Sequence, residues 1–246
     1  MDTLRSKGRI IAGVAFDIPG MGYKNPRTGT IQGFEADLAR AIAEKIFDAR
    51  DRIDFFPVTD EQRIPALQSG QVDMVLSQIT ITPDRAERVD FSIPYFVTRE
   101  GILVPKGSRI KGLDDLKGKR IAVTAGSISL RRMRASLRSL PGATLVITPL
   151  SFGNLEAVAK GEADAASNDL INLTMMLRAS DHPERYEIID IGDRFDEKPF
   201  GVAVKKGRRS LVDLLNQAIT SLKASGEIDR LLKENMASLG GSNEKH

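Results

Sequence analysis

The 246-residue sequence contains no cysteine, no tryptophan and only two histidines. The absence of cysteine excludes disulfide bonds and thiolate catalysis, although it identifies no redox compartment. With so few histidines, histidine-dependent catalysis and histidine-rich metal sites are poorly supported, and we expect neither a metal nor another cofactor. Aromatic residues make up only 5% of the chain, which is too few to favour a stacking surface for nucleic acid.

Long hydrophobic runs are also missing. No run approaches the ~20 apolar residues that a transmembrane helix needs, so we expect no membrane span. Residues 1–7 form no apolar signal segment, and an exported protein with this sequence would therefore be in its mature form. The net charge of +3 is a mild excess. Its densest basic run, residues 131–134, lies in a helical pattern and is interpreted as a solvated face.

Short β-type runs alternate with helical patterns, which predicts an α/β fold with mainly parallel sheets flanked by helices. The predicted strands cover residues 9–16, 53–58, 72–76, 120–123, 144–148, 163–166, 187–191 and 200–204. The predicted helices cover residues 34–47, 61–69, 128–140, 155–160, 170–177, 211–222 and 228–236.

Two segments, near residues 95–101 and 192–199, are predicted to be crossovers between two domains. The first domain would be discontinuous, with residues 1–98 and 196–246, and the second would be continuous, with residues 99–195. Two domains joined by two hinge segments can close around a ligand.

The most informative segment, residues 77–92, follows the predicted strand over residues 72–76. Thr82 is predicted to cap a helix, with Pro83 at its first position. Arg85 then lies in the first helical turn, where unpaired backbone amides point in the same direction. Amides and an arginine fork can together bind a carboxylate. The alternative is an arginine in a surface ion pair.

Residues 77–92 resemble the ligand-binding stretch of bacterial amino-acid-binding proteins of ABC importers. The resemblance extends over about residues 9–236, and its other best-matching segments are residues 33–39, 64–70, 72–74, 113–119 and 161–165. Each segment alone is a weak match, but in this order and at these spacings the segments are specific for the family. The resemblance implies the two-lobed, type II clamshell of periplasmic binding proteins.

The resemblance also implies a monomer that is periplasmic, or anchored by lipid outside the cytoplasm, and that performs no catalysis. Its partners would be a polar amino acid and an ABC permease.

The resemblance also implies roles for individual residues. Arg85 would bind the ligand α-carboxylate, with Ser77, Gln78 and Thr80 contributing backbone or hydroxyl groups. Asp169 would pair with the α-ammonium group, and the alternative for this aspartate is a simple helix N-cap.

Other second-lobe groups are expected near the same ligand. Asn168 directly precedes the predicted ammonium-binding aspartate. Gly126, Ser127 and Ser129 follow a strand and begin a helix, so their amides and hydroxyls would meet the ligand. The alternative for these three residues is ordinary helix capping.

Ligand identity depends on the number of cations around the ligand side chain. Arg63 falls where glutamate- and aspartate-binding relatives keep an arginine, whereas glutamine-binding relatives place aromatics near Asp60 and Gly20. Acidic-ligand relatives often carry a cation where this chain has Ala15, and Lys24 could replace it. Glutamate is therefore the leading prediction and aspartate the second, while glutamine or another polar amino acid remains open.

Two other functional classes are considered. Cyclohexadienyl dehydratase resembles these proteins but has a catalytic glutamate three residues after the second-lobe aspartate, where this chain has Asn172. The sensor domain of a receptor would require a flanking transmembrane segment.

Overall fold

The structure is a computed structural model that describes residues 7–239. Within that range the chain forms two units. Unit 1 contains the residues up to Val97 and those from Pro199 onward, and unit 2 is Thr98–Lys198. No helix in residues 7–239 has both the length and the apolar character needed to cross a bilayer.

Unit 1 contains a five-stranded sheet, a small three-stranded sheet and five helices among the described residues. Its strands are β1 (Ile10–Val14), β2 (Asp17–Ile18), β3 (Gly22–Lys24), β4 (Ile31–Gln32), β5 (Ile53–Pro57), β6 (Met74–Leu76), β7 (Val89–Thr98) and β13 (Lys198–Lys205). Its helices are α1 (Phe34–Phe47), α2 (Arg63–Ser69), α3 (Pro83–Arg88), α7 (Arg209–Ala224) and α8 (Glu227–Ser238).

The main sheet of unit 1 has the order β5-β1-β6-β13-β7. Strand β1 runs parallel to both β5 and β6, and β13 runs antiparallel to β6. Helix α1 buries Phe34, Leu38 and Ile42 completely. Each of these side chains contributes about 1.5–3 kcal/mol by leaving water, so the amphipathic pattern that predicts this helix also anchors it.

Unit 2 contains one five-stranded sheet with three α-helices. Its strands are β8 (Glu100–Pro105), β9 (Arg120–Thr124), β10 (Thr144–Thr148), β11 (Ala165–Asp169) and β12 (Tyr186–Asp190). Its helices are α4 (Ile128–Ser136), α5 (Phe152–Ala159) and α6 (Leu170–Ala179). The strand order is β10-β9-β11-β8-β12, and β8 runs opposite to the other four strands.

The predicted α/β class is therefore confirmed, with a sheet flanked by helices in each unit. Three features were not predicted: the small sheet, strand β7, and strand β8, whose residues Glu100–Pro105 lie outside every predicted strand. The small sheet β2-β3-β4 is made of strands of two or three residues, which are too short to show a periodic pattern. Strand β7 has ten residues and contains Pro94, a residue that usually argues against a strand.

Candidate functional site

Four predicted ligand residues of unit 1, namely Ser77, Gln78, Thr80 and Arg85, follow β6 at the point where the strand order reverses. Strand β1 lies between β5 and β6, and Val14 and Leu76 pair at the carboxyl ends of β1 and β6. In open α/β sheets, ligands bind outside the carboxyl ends of the strands at such a reversal. The loop that follows Leu76 is thus placed where the fold favours binding.

Unit 2 repeats this arrangement. Strand β9 lies between β10 and β11, to which it is parallel, so the carboxyl ends of β9 and β11 lie at the same edge. Gly126, Ser127 and Ser129 follow β9, and Asn168 and Asp169 end β11. All five predicted residues of this unit therefore belong to one edge of its sheet.

In unit 1 the loop after β6 is buried and tightly held. Ser77, Gln78 and Thr80 have exposed fractions of only 1%, 6% and 4%. Gln78 has a left-handed backbone with φ of 45°, a conformation that costs about 1 kcal/mol or more for a residue other than glycine. Such strain persists only where the surroundings enforce it.

The group that enforces this conformation is Glu35, on α1. Its carboxylate accepts a hydrogen bond from the Gln78 backbone N–H at 2.7 Å and another from the Gln78 side-chain amide. The hydroxyl of Tyr95 also donates to it. Complete burial raises the pKa of Glu35 to about 7, although these hydrogen bonds and the charge of Arg63 act in the opposite direction.

Arg85 lies in the first turn of α3, as predicted. Thr82 caps this helix by accepting a hydrogen bond from the Arg85 N–H at 3.4 Å, and Pro83 is the first helical residue. The guanidinium of Arg85 donates to the Thr80 carbonyl oxygen at 2.9 Å, and the residue is only 8% exposed. The predicted carboxylate-binding arginine is thus held against the loop that precedes it.

Arg63 begins α2 and is 2% exposed. One of its terminal nitrogens donates to the Ser77 carbonyl oxygen and lies 2.9 Å from the Asp60 carboxylate. Arg63 therefore hydrogen-bonds to the loop after β6, and its charge is paired with the carboxylate of Asp60. Lys24, the other proposed counter-charge, is exposed at the end of β3.

In unit 2, Asp169 occupies the N-cap position of α6, but its side chain makes no capping hydrogen bond. Instead, one carboxylate oxygen lies 3.1 Å from the Lys198 ammonium and the other accepts from the Asn172 amide at 3.3 Å. The side-chain oxygen of Asn168 accepts from the Asp169 N–H at 2.7 Å. Simple capping therefore does not account for this aspartate.

Ser127, by contrast, does cap α4. Its hydroxyl accepts from the Leu130 N–H at 3.0 Å and donates to the Thr124 carbonyl oxygen at 2.7 Å. Ser129 is 1% exposed, and its hydroxyl accepts from the Lys198 ammonium at 2.9 Å. Gly126 has a left-handed backbone with φ of 74° and is exposed.

Unsatisfied buried atoms coincide with these residues. Among residues 7–239, buried side-chain atoms without a hydrogen-bond partner include Arg63 Nε, Ser77 Oγ, Asn168 Nδ2 and Asn172 Oδ1. Buried polar groups are nearly always paired in folded proteins, because an unpaired one costs about 1–3 kcal/mol.

In the described residues no group of three or more histidine or acidic side chains could hold a metal ion.

Four buried residues that support the predicted ones were not predicted: Glu35 and Lys198, which contact predicted residues directly, and Tyr95 and Glu100, which contact Glu35 and Lys198. Their partners lie between 29 and 98 residues away in the chain, so no local pattern points to them. The one signal in the sequence is a charged residue next to apolar residues that are predicted to be buried, as with Glu35 beside Phe34.

Comparison with known proteins identifies the family. The sequence profile of the bacterial extracellular solute-binding proteins, family 3, matches residues 10–237. This chain belongs to that family. Membership confirms the resemblance predicted from residues 77–92, and the chain is accordingly a solute-binding protein.

Individual family members resemble the chain over most of its length. The ABC transporter glutamine-binding protein GlnH of Bacillus subtilis (strain 168) is 34% identical over 94% of this chain and 82% of its own length. A glutamine-binding protein of Geobacillus stearothermophilus is 32% identical over 84% of this chain and 76% of its own length. A solved structure of an ancestral arginine-binding protein bound to glutamine is 32% identical, with a TM-score of 0.82, and covers 92% of this chain and 97% of that one.

Proposed function

We propose that this chain binds a polar L-amino acid outside the cytoplasm and delivers it to an ABC permease. The observation that carries the proposal is the position of Arg85 in a member of this family. Its guanidinium is buried on the Thr80 carbonyl oxygen, beside the point where the strand order of unit 1 reverses. An arginine fork fits the two oxygens of an α-carboxylate.

The other groups fit the remaining parts of an amino acid. Arg85 would bind the α-carboxylate together with the Ser77 hydroxyl and the Thr80 main chain. Asp169 would bind the α-ammonium group, and the Asn168 side-chain amide would donate to an oxygen of the ligand. Gly126, Ser127 and Ser129 would supply amides and hydroxyls from the start of α4.

The unsatisfied atoms support the same assignment. Ser77 Oγ and Asn168 Nδ2 are buried without a protein partner, and each belongs to a residue that the family resemblance assigns to the ligand. A ligand that hydrogen-bonds to such groups removes their desolvation cost. An analogue that lacks the matching group leaves the cost in place, which gives selectivity.

The charge around Arg63 bears on which polar amino acid is bound. An arginine at this position favours glutamate, because the side-chain carboxylate of glutamate needs a cation. Its 2.9 Å ion pair with Asp60 partly compensates that positive charge and favours glutamine, the ligand for which the two relatives from Bacillus subtilis and Geobacillus stearothermophilus are named. Glutamine and glutamate are therefore the two ligands to compare first.

A catalytic function receives little support from the residues. Asn172 stands where the dehydratase comparison requires a glutamate, and a carboxamide does not transfer protons at neutral pH. Its side chain is 3% exposed and donates to both Asn168 and Asp169, which is consistent with holding the ligand-binding carboxylate.

The test is binding of the twenty amino acids by isothermal calorimetry, with wild type and Arg85→Ala. We expect tight binding of glutamine or glutamate by the wild type. Arg85→Ala should weaken it by about a hundredfold or more, because removing one member of a buried charged pair costs about 2–5 kcal/mol. The matched control is Arg88→Ala, which removes an exposed arginine from the same helix.

Arg88→Ala should bind like the wild type, and circular dichroism should show that both variants remain folded. Unchanged affinity in folded Arg85→Ala would exclude the assigned role of Arg85. If the wild type binds no amino acid, the proposed function itself is wrong.

A further inference from the structure

A buried ionic cluster lies near the two points where the chain enters and leaves unit 2. Lys198 and Glu100 have exposed fractions of 1% and 0%, and their ammonium and carboxylate groups are 2.7 Å apart. The Lys198 ammonium also lies 3.1 Å from the Asp169 carboxylate and donates to the Ser129 hydroxyl at 2.9 Å. A residue outside the predicted site thus touches two predicted ligand residues.

The geometry fixes this ammonium at one position. A lysine ammonium has three N–H donors, and here it has three acceptors, namely Glu100, Asp169 and Ser129. Glu100 is held in turn by a 2.8 Å hydrogen bond from the Ser167 hydroxyl. It also lies 3.3 Å from the guanidinium of Arg132.

The charges of the four named side chains sum to zero. Lys198 and Arg132 carry two positive charges, and Glu100 and Asp169 carry two negative ones. Without Lys198 the remaining three groups would have a net charge of −1 beside the proposed ammonium-binding carboxylate. Because the cluster is buried, an unbalanced charge there would be weakly screened and would act on any nearby ligand charge.

We propose that Lys198 and Glu100 together set the charge preference of the amino-acid site. The inference rests on the proposed function and adds a specificity-determining pair to it. Lys198 offsets the negative charges of Glu100 and Asp169, so the site does not attract amino acids with a cationic side chain. It also leaves Asp169 fixed in position to bind an α-ammonium group.

The alternative is that the pair only stabilises unit 2. The two explanations are separated by variants that change the net charge of the cluster in opposite directions. Lys198→Met makes the cluster more negative with little change of side-chain length. Glu100→Gln makes it more positive and keeps a similar shape. The double variant restores the wild-type net charge.

Affinities for L-arginine, L-glutamine and L-glutamate should be measured by calorimetry, with displacement titrations for weak ligands. In Lys198→Met we expect the affinity for arginine relative to glutamate to rise by about tenfold or more. Glu100→Gln should lower the same ratio. The double variant should return it to within about threefold of wild type, and Lys205→Met, at an exposed lysine of the same strand, should leave it unchanged.

If the pair only stabilised unit 2, both single variants would have lower melting temperatures and would change all three affinities by the same factor. That result would overturn the inference. Shifts of the ratio in the same direction for both single variants would overturn it as well. If Lys198→Met does not fold, Glu100→Gln still tests the predicted sign. Failure of the wild type to bind any amino acid would instead contradict the proposed function.

Discussion

Burial of Glu35 should make the stability of this protein fall as the pH rises. Its side chain is fully buried, and this burial raises the pKa from an ordinary value of 4.5 to about 7. The hydrogen bonds from Tyr95 and Gln78 and the charge of Arg63 limit that increase. Below pH 4.5 the carboxyl is protonated in both the folded and the unfolded chain, so its contribution does not change.

Between pH 4.5 and 7 the folded chain holds a proton that the unfolded chain has lost. The free energy of unfolding therefore decreases as the pH rises through this range. Since each pKa unit corresponds to about 1.4 kcal/mol, the total loss from Glu35 is about 3 kcal/mol. This is a large fraction of the stability of a typical domain.

Substitution Glu35→Gln isolates this contribution because the amide stays uncharged at every pH. Urea unfolding of wild type and variant should be followed by circular dichroism at pH 5, 6, 7 and 8. We expect the stability of Glu35→Gln relative to wild type to increase by about 2.5 kcal/mol across this series, because part of the total change already occurs below pH 5. Glu44→Gln, at a partly exposed glutamate of the same helix, is the matched control and should show no comparable trend.

Parallel pH profiles for wild type and Glu35→Gln would refute the reasoning, since they would mean that Glu35 has the same pKa in the folded and unfolded chains. The difference between wild type and Glu35→Gln removes the contributions of the other titrating groups, which both proteins share. It also cancels, to first order, any departure of the two-unit chain from two-state unfolding.

Two further predictions concern unit 1. Arg63→Met should weaken glutamate binding at least tenfold more than glutamine binding; equal losses in calorimetry would limit Arg63 to its hydrogen bond with Ser77. Gly33→Ala should destabilise the chain by about 3 kcal/mol or more, because φ is 118° and a Cβ would lie 2.5 Å from the Met21 carbonyl oxygen. Gly29→Ala, also at positive φ but in open space, should cost about 1 kcal/mol, and equal melting temperatures for these two variants would contradict the steric argument.

Much of the fold could be predicted because local patterns specify it. The helix over residues 34–47 has the predicted bounds, because its apolar stripe and the glycine that precedes it indicate the same starting residue. Elsewhere the bounds differ by a few residues, as at α2, which begins at Arg63 rather than residue 61. Secondary structure ends where hydrogen bonding ends, and that limit depends on tertiary contacts that a single sequence does not display.

The candidate site was predictable for a related reason. Ser77 directly follows β6, Arg85 lies in the next helix, and Asp169 ends β11. The topology of an α/β sheet collects the ends of parallel strands at one edge. The residues that hold them could not be found in this way. Lys198 reaches Ser129 across 69 positions of sequence, and Glu35 reaches Gln78 across 43.

Each unit thus places a buried ionisable side chain behind its predicted ligand residues. Glu35 supports a strained loop through the Gln78 backbone, and Lys198 fixes Asp169 and Ser129. A charge in such a position is costly to bury, and it holds its neighbours only while its own partners are in place. Substitutions of these two residues should therefore change properties that the ligand-binding residues do not control, namely the pH dependence of stability in unit 1 and the charge preference of binding in unit 2.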